Sequence, residues 1–444
     1  MSELDEGDVD GDAADGPGAG AGTERTDTET DGSSRESWGP LQGVRVLDLT
    51  QMLAGPYATM LLADLGADVV KIEPPRGDMT RDNPPHLQDD EAYGGYFHSV
   101  NRNKRSVVLD LKSEAGRDTL RELVADADVL VENFKVGTMD RLGLSYESLS
   151  EINPGLVYAT IRGFGDPRSG ESPYADRPAF DIIAQAMGGV MSITGTEESG
   201  PVKVGPGVGD IFPATLCMVG LLSALHHAER TGEGQFVDVG MVDGVLALTE
   251  RIVHQHALEG EVPGPQGNTH PLLFPFDRFG TTDGHVMIAA PSDAQWAALC
   301  EAMDRPDLIE DYPEEADRVE HMDELRPVVA EWVAGHTKAE VADLIADDVP
   351  CGPVNTVLDI FADEHFEVRE MLPEIEHADT GEAVSLAGAP IKLSETPSGV
   401  RHRAPFLGEH SREVLAEYGL DGERIGELVA EGVVHESKDS EDEG

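Results

Sequence analysis

From Trp38 onward, short apolar runs alternate with longer stretches of helical period. "GVRVLDLT" (43–50), "ADVVKIE" (67–73), "RSVVLDL" (105–111), "DVLVENF" (128–134) and "LVYATIRGF" (156–164) are rich in β-branched residues and short, which predicts buried strands. Between them, "GPYATMLLADLG" (55–66) and "SEAGRDTLRELVADA" (113–127) carry helical spacing. Strand and helix in alternation predict an α/β fold with a doubly wound, Rossmann-like parallel sheet. Two apolar helices are predicted at 181–191 and 211–228, then a strand feeding one long connecting helix through "GQFVDVGMVDGVLALTERIVHQHALEG". A smaller α+β module begins near residue 270, with a strand at 284–290 and helices near 292–303, 321–334 and 337–347. After about residue 373 a hairpin and a helix at 409–418 are expected to return to the first domain. The expected division is a disordered tail (1–37), a large discontinuous domain (38–245), a linker helix with the small domain (246–372), a returning segment (373–434) and a second disordered tail (435–444).

Charge changes this picture in one respect. The chain holds 86 acidic against 32 basic residues, a formal charge of −54, and the acids are spread through every segment. A disordered acidic chain would lack the apolar periodicity above, so the excess is assigned to a folded surface adapted to strong salt. Such a surface repels nucleic acid, and no basic stripe with interleaved aromatics offers a footprint for it. No apolar run is expected to approach the roughly 18 to 20 residues of a membrane span, and the N-terminus is acidic rather than leader-like. A cytoplasmic protein with no membrane partner is expected. Cys217, Cys300 and Cys351 have neither CxxC nor zinc-ligand spacing, so no metal site is expected.

Candidate chemistry is sparse. In "KVGPGVGDIFPATL" (203–216), Asp210 follows three glycines and opens an apolar segment. It reads either as a helix cap, with Pro213 in the first turn, or as a carboxylate from which the glycines have stripped bulk so that a substrate can reach it. Of eight lysines, four (Lys71, Lys104, Lys112, Lys135) fall near predicted strand ends, joined by Arg102 and Arg105. They suit either a phosphate-bearing ligand beyond the strand ends or internal pairing with nearby acids. "DLTQMLAGP" is not GxGxxG, no P-loop occurs, and no GxSxG elbow or HExxH is present.

In several segments and in order, the chain resembles the class III CoA-transferases, the group of the formyl-CoA and carnitine CoA-transferases. The segments are "GVRVLDLTQMLAGPYATMLLADLGADVVKIEPP", "GDMTR", "NRNKRSVVLDLK", "VENF", "ERTGEGQFVDVGM", "PCGPV" and "APFLGEH", within about 39–434. The resemblance implies that Asp210 is the catalytic carboxylate. It implies a CoA nucleotide held around Met52, Leu53, Ala54, Leu109, Lys112, Asn133, Phe134 and Arg141, with Arg76 replacing an arginine that would fall at Pro74. CoA is then a substrate, with no permanently bound cofactor, and the protein is an interlocked homodimer. Formyl-CoA transferase has glutamine where Leu53 stands and a glycine-rich run not found here. The reaction implied passes CoA from an acyl-CoA to a free acid through an aspartyl anhydride and an aspartyl-CoA thioester, with succinate and mesaconate as acids in keeping. Arg162, Arg177 or His270 would meet a second carboxylate. The alternatives are an α-methylacyl-CoA racemase, whose histidine would fall at Phe180, and a non-catalytic acyl-CoA binding protein.

One expectation concerns stability alone. At about 1 M salt the Debye length is roughly 3 Å, so repulsion within the acidic surface is screened. Thermal melts between roughly 0.1 and 3 M KCl should therefore rise with salt as that length shrinks; a flat or falling midpoint counts against salt adaptation.

Overall fold

The computed structural model describes residues 39–87, 90–270, 272–377 and 381–437. The tail expected over 1–37 and residues 438–444 lie outside the described residues. Ten strands matter here: β1 (Arg45–Asp48), β2 (Asp68–Glu73), β3 (Arg105–Leu109), β4 (Val129–Glu132), β5 (Val157–Arg162), β6 (Phe236–Gly240), β7 (Phe276–Gly280), β8 (His285–Ala289), β9 (Cys351–Pro353) and β10 (Val434–His435). One seven-stranded sheet runs β6-β5-β4-β1-β2-β3-β10. All its pairs are parallel except the last, where Val434 and His435 oppose Leu109 and Val108. Strands β1 to β6 thus take the 3-2-1-4-5-6 order of doubly wound sheets, with the switch point between β1 and β4.

The continuous apolar runs follow from burial on both faces. Successive strand residues enter opposite cores: Val46, Val69, Val129 and Val157 belong to one, and Leu47, Val70, Leu130 and Tyr158 to the other. The first core is closed by α1 (Ala54–Asp64), α3 (Asp181–Met187), α4 (Val208–Thr231) and α5 (Met241–Leu248). The second is closed by α2 (Glu114–Val124) and, after the chain returns, by α7 (Ser411–Glu417) and α8 (Gly422–Ala430). Strands β7, β8 and β9 form a separate antiparallel sheet with its own core around Phe274, Trp296, Val329 and Val333.

Five expectations need correction. The helix predicted over 181–191 is broken: α3 ends at Met187, Gly189 takes a left-handed φ of +96°, and a separate turn runs over Val190–Ile193. The connecting helix after β6 is not continuous: α5 stops at Leu248, Glu250 takes a left-handed φ of +34°, and α6 (Ile252–Glu259) starts afresh. Helix α4 starts at Val208, three residues before its predicted start, so Asp210 lies inside it and Pro213 falls in its second turn. At 24 residues, α4 is also long and apolar enough to cross a membrane by length and composition, contrary to the expectation that no run nears that length. Its Ala214, Cys217, Leu221 and Ala224 are buried in the first core, the position expected of a helix apolar on most sides. Finally, β10 takes in His435, which the sequence pattern placed in the tail.

Candidate active site

The turn from β1 into α1 is held from below and from the side. Asp48, fully buried, accepts from the Thr50 amide (2.9 Å), the Thr50 hydroxyl (2.5 Å), the Thr59 hydroxyl (2.7 Å) and Lys104 Nζ (2.9 Å). Lys71 Nζ donates to the Thr50 carbonyl at 2.8 Å and lies 3.1 Å from Asp78 Oδ2. Across the switch point, the Asn133 side-chain amide clamps Gln51, accepting from its N–H (2.9 Å) and donating to its carbonyl (2.7 Å). Met52 consequently holds a left-handed φ of +70°, a conformation that costs a non-glycine residue energy and that tends to gather at functional sites.

Beside this turn, the carboxyl ends of β1, β2 and β3 open onto a cavity of about 340 Å³. Leu49, Ile72, Leu109, Leu111, Phe134 and Leu142 form its apolar wall, and Arg76, Lys112 and Asp78 bring charge to it. Four of the residues expected to hold a nucleotide therefore line it: Arg76, Leu109, Lys112 and Phe134. Met52, Leu53 and Ala54 shape the adjoining turn, Asn133 acts as its clamp, and Arg141 sits on the short helix whose Thr138 lines the cavity. The clustered cations divide. Lys71, Lys104, Arg102 and Arg105 are buried in ion pairs with Asp78, Asp48, Asp64 and Asp68. By contrast Arg76, Lys112, Lys135 and Arg141 are exposed and form no ion pair among the described residues.

Asp210 does not cap its helix. The N-cap of α4 is Gly207, without a side-chain bond, and the acceptor comes from elsewhere: Asp181 Oδ1, at the start of α3, takes the Gly209 N–H at 2.8 Å. Gln185 holds Asp181 in place, donating from Nε2 to both carboxylate oxygens at 2.9 Å and accepting the Val204 N–H at 2.8 Å. The glycines answer to this packing more than to open space. A Cβ on Gly209 would lie 2.5 Å from the Asp181 carbonyl oxygen, and one on Gly207 would lie 3.0 Å from Leu53 Cδ2; only Gly205 faces nothing within 4 Å. Leu53 thus joins the strand-end turn to the loop before Asp210.

The Asp210 carboxylate accepts no hydrogen bond among the described residues. Burial first, and the like charge of Asp181 second, push its pKa up to about 7. Burial and then Asp210, Asp78 and Asp181 also raise the Tyr96 phenol, which places Tyr96 among these carboxylates. Sequence reading missed Asp181, Gln185 and Tyr96. Asp181 directly follows Phe180, whose ring is 61 % exposed, and nothing local marks it as an acceptor 28 residues from the amide it takes.

The residues expected to meet a second carboxylate are scattered. Arg162 is buried and bonded to Glu132 and Asp166, which leaves it no free role. Arg177 is exposed with its guanidinium 4.5 Å from the Tyr174 ring centre. His270 lines a second cavity, together with Arg251.

The sheet order and the strand-end cavity define an α/β enzyme of the doubly wound class. The chain belongs to CoA-transferase family III, whose model matches residues 41–411. It is 53% identical over 385 residues, 86% of this chain and 97% of the other, to the succinyl-CoA:mesaconate CoA-transferase of Haloarcula marismortui. It is 38% identical to the succinate–glutarate CoA-transferase of Agrobacterium fabrum, over 85% of this chain and 95% of that one. Among solved structures it resembles a CaiB/BaiF family protein from Brucella suis, with a TM-score of 0.76, 36% identity and coverage of 86% of this chain and 100% of that one.

The raised Asp210 pKa links stability to pH. Above pH 7 the folded protein must hold a desolvated charge that the unfolded chain leaves in water, and below about pH 4 the group is neutral in both states. Asp210→Asn should therefore raise the melting temperature at pH 8, and the gain should shrink through pH 7 and vanish near pH 4. Equal melting temperatures for variant and wild type at pH 8 would contradict the desolvated carboxylate.

Proposed function

We propose that this chain moves CoA between succinyl-CoA and mesaconate, with Asp210 as the covalent carrier. The observation that carries this reading is a half-buried carboxylate without a hydrogen-bond donor among the described residues, one loop away from a cavity whose rim cations form no ion pair among those residues, in a chain of charge −54. A carboxylate that accepts no hydrogen bond keeps its lone pairs for attack.

Asp210 attacks the succinyl thioester, forming an aspartyl succinyl anhydride and releasing CoA thiolate. The thiolate attacks the aspartyl carbonyl, giving an aspartyl-CoA thioester and free succinate. Mesaconate attacks that thioester to form a second anhydride and thiolate, and the thiolate takes the mesaconyl group, which restores Asp210. Each intermediate is open to water, so the half-buried position serves the reaction as well as the pKa. Of the loop amides before Asp210, those of Val204, Val208 and Gly209 are already bonded, which leaves the Gly205 and Gly207 N–H groups as candidates to stabilise tetrahedral oxyanions, an effect worth about 2.7–4 kcal/mol per donor.

The cavity at the strand ends takes the nucleotide, its apolar wall against the base and Arg76, Lys112 and Arg141 toward the phosphates. The first turn of α1 carries no acidic residue and no side-chain cap, which suits an anion. The second copy that the resemblance implies, interlocked with this chain, accounts for the apolar side chains left exposed on the linker and beyond it: Val253, Leu258, Val357, Leu358, Phe361 and Val368. Work in the cytoplasm accords with the soluble substrates.

Two measurements test the reading. Charge reversal at Lys112 or Arg141 should weaken binding of free CoA at least tenfold by calorimetry with the fold intact; unchanged affinity in both would remove the nucleotide from this cavity. Asp210→Asn should lower succinyl-CoA:mesaconate transfer by about three orders of magnitude or more while CoA still binds. Wild type given succinyl-CoA without acceptor should yield a hydroxylamine-trappable adduct on the peptide containing Asp210. A variant retaining a tenth of the wild-type rate, or an adduct on another residue, refutes the mechanism.

A further inference from the structure

The chain between α6 and β7 closes a second cavity of about 350 Å³, which shares no lining residue with the first. It is tied to the loop of Asp210 through one hairpin. The Gly267 N–H donates to the Gly195 carbonyl at 2.6 Å, Gly195 and Thr196 pair with Pro201 and Gly200, and the chain then runs straight into Lys203–Gly209.

Inside this cavity donors converge on His270 without an acceptor between them among the described residues. The Leu272 N–H approaches His270 Nδ1 at 3.2 Å, which leaves the ring proton on Nε2. Yet Nε2 lies 3.3 Å from Arg251 Nη1, and a guanidinium can only donate. The other tautomer merely moves the conflict, since Nδ1–H would then face the Leu272 amide. A neutral imidazole has one lone pair, and here a donor approaches each nitrogen. Burial, then the Arg251 charge, hold the His270 pKa below its usual value, so protonation does not relieve the conflict. Among the described residues the nearby acids do not fill the gap: Glu250 lies 3.8 Å from Arg251 Nε and is largely exposed, Glu261 accepts from Gln255 at 2.9 Å, and Glu315 acts on His270 by charge without a hydrogen bond or ion pair to it or to Arg251. Ile193, Val262 and Phe276 supply apolar wall for a short carbon chain.

We propose that this cavity is a carboxylate subsite, in which one carboxylate oxygen accepts from Arg251 Nη1 and His270 Nε2 together. It takes the carboxylate of a small dicarboxylic acid that is not the one joined to CoA. The assignment rests on the CoA-transfer reading above and adds to it the residues that would select a diacid over a monoacid.

Mesaconate and tiglate provide the test, because tiglate carries a methyl group where mesaconate carries its second carboxylate. With succinyl-CoA as donor, Arg251→Gln and His270→Phe should each lower the preference for mesaconate over tiglate, in kcat/KM, at least tenfold. Inhibition by free CoA, which lacks the acid, should stay within twofold of wild type and reports that each variant is folded. His270→Gln restores a donor and should recover the preference to within threefold of wild type. A smaller loss than tenfold in Arg251→Gln overturns the subsite, and so does a His270→Gln variant no better than His270→Phe. Should wild type transfer nothing to either acid, the reading of the preceding section fails separately. Calorimetry with mesaconate then decides: binding to wild type and at least tenfold weaker binding to Arg251→Gln upholds the subsite, whereas equal affinity or no binding overturns it.

Discussion

The Asp48 carboxylate, sealed beneath the first strand-to-helix turn, is the contact on which the crevice depends. Burial alone would raise its pKa; Lys104, then Lys71 and the Thr50 hydroxyl, overcome this and hold it well below the usual carboxylate range. Lys104 in turn spends all three of its protons, on Asp48, the Pro56 carbonyl and the Asn101 side chain, each at 2.9 Å. Removing one partner of such a pair strands the other charge and costs about 3–5 kcal/mol, whereas the intact pair contributes little to stability in itself. What the pair confers is shape. It fixes the turn that carries Gln51 and Met52, and through Lys71 it fixes Asp78 in the cavity wall.

Asp210 is the complementary case. Asp48 and Asp210 are both carboxylates removed from water, but every oxygen of Asp48 has donors and Asp210 has none among the described residues. One is therefore held toward its ionised form, and the pKa of the other is pushed up to about 7. The capping duty expected of Asp210 falls to Asp181, whose carboxylate Gln185 holds from Nε2 while its own Oε1 accepts the Val204 N–H. A residue relieved of a structural bond is available for a reactive one. The strain at Met52 and the glycines that admit Asp181 and Leu53 are the local costs of that arrangement.

Much of the fold is legible in the chain because the five inner parallel strands are buried on both faces, so each appears as a short run rich in apolar residues. Strand β10 is not legible: two residues carry no period, and Val434 becomes a strand only because Leu109 offers an open edge. The break at Thr249–Arg251 is hidden for a related reason, since the apolar spacing continues across it while the backbone does not. At the site, sequence alone locates Asp210 and the cations but cannot sort them. Lys71 and Lys112 look alike in "VVKIE" and "LDLK", yet one ends beneath the sheet and the other at its rim. That difference is set by strand register and not by neighbours in sequence.

The acidic surface also constrains how the crevice recognises a ligand. Its haloarchaeal relatives and its charge of −54 accord with work in strong salt, where screening over roughly 3 Å removes long-range attraction and repulsion alike. Rim cations that form no ion pair among the described residues would not then steer an anionic ligand from a distance and would act only on contact. Apolar contact, by contrast, is not screened, and the walls formed by Leu49, Ile72, Leu109 and Phe134 keep their full effect in salt. Binding in such a medium must depend on an apolar wall for affinity, with a few exposed cations fixing orientation. The strand-end cavity has that composition, while the remaining buried cations stay committed to holding the sheet together.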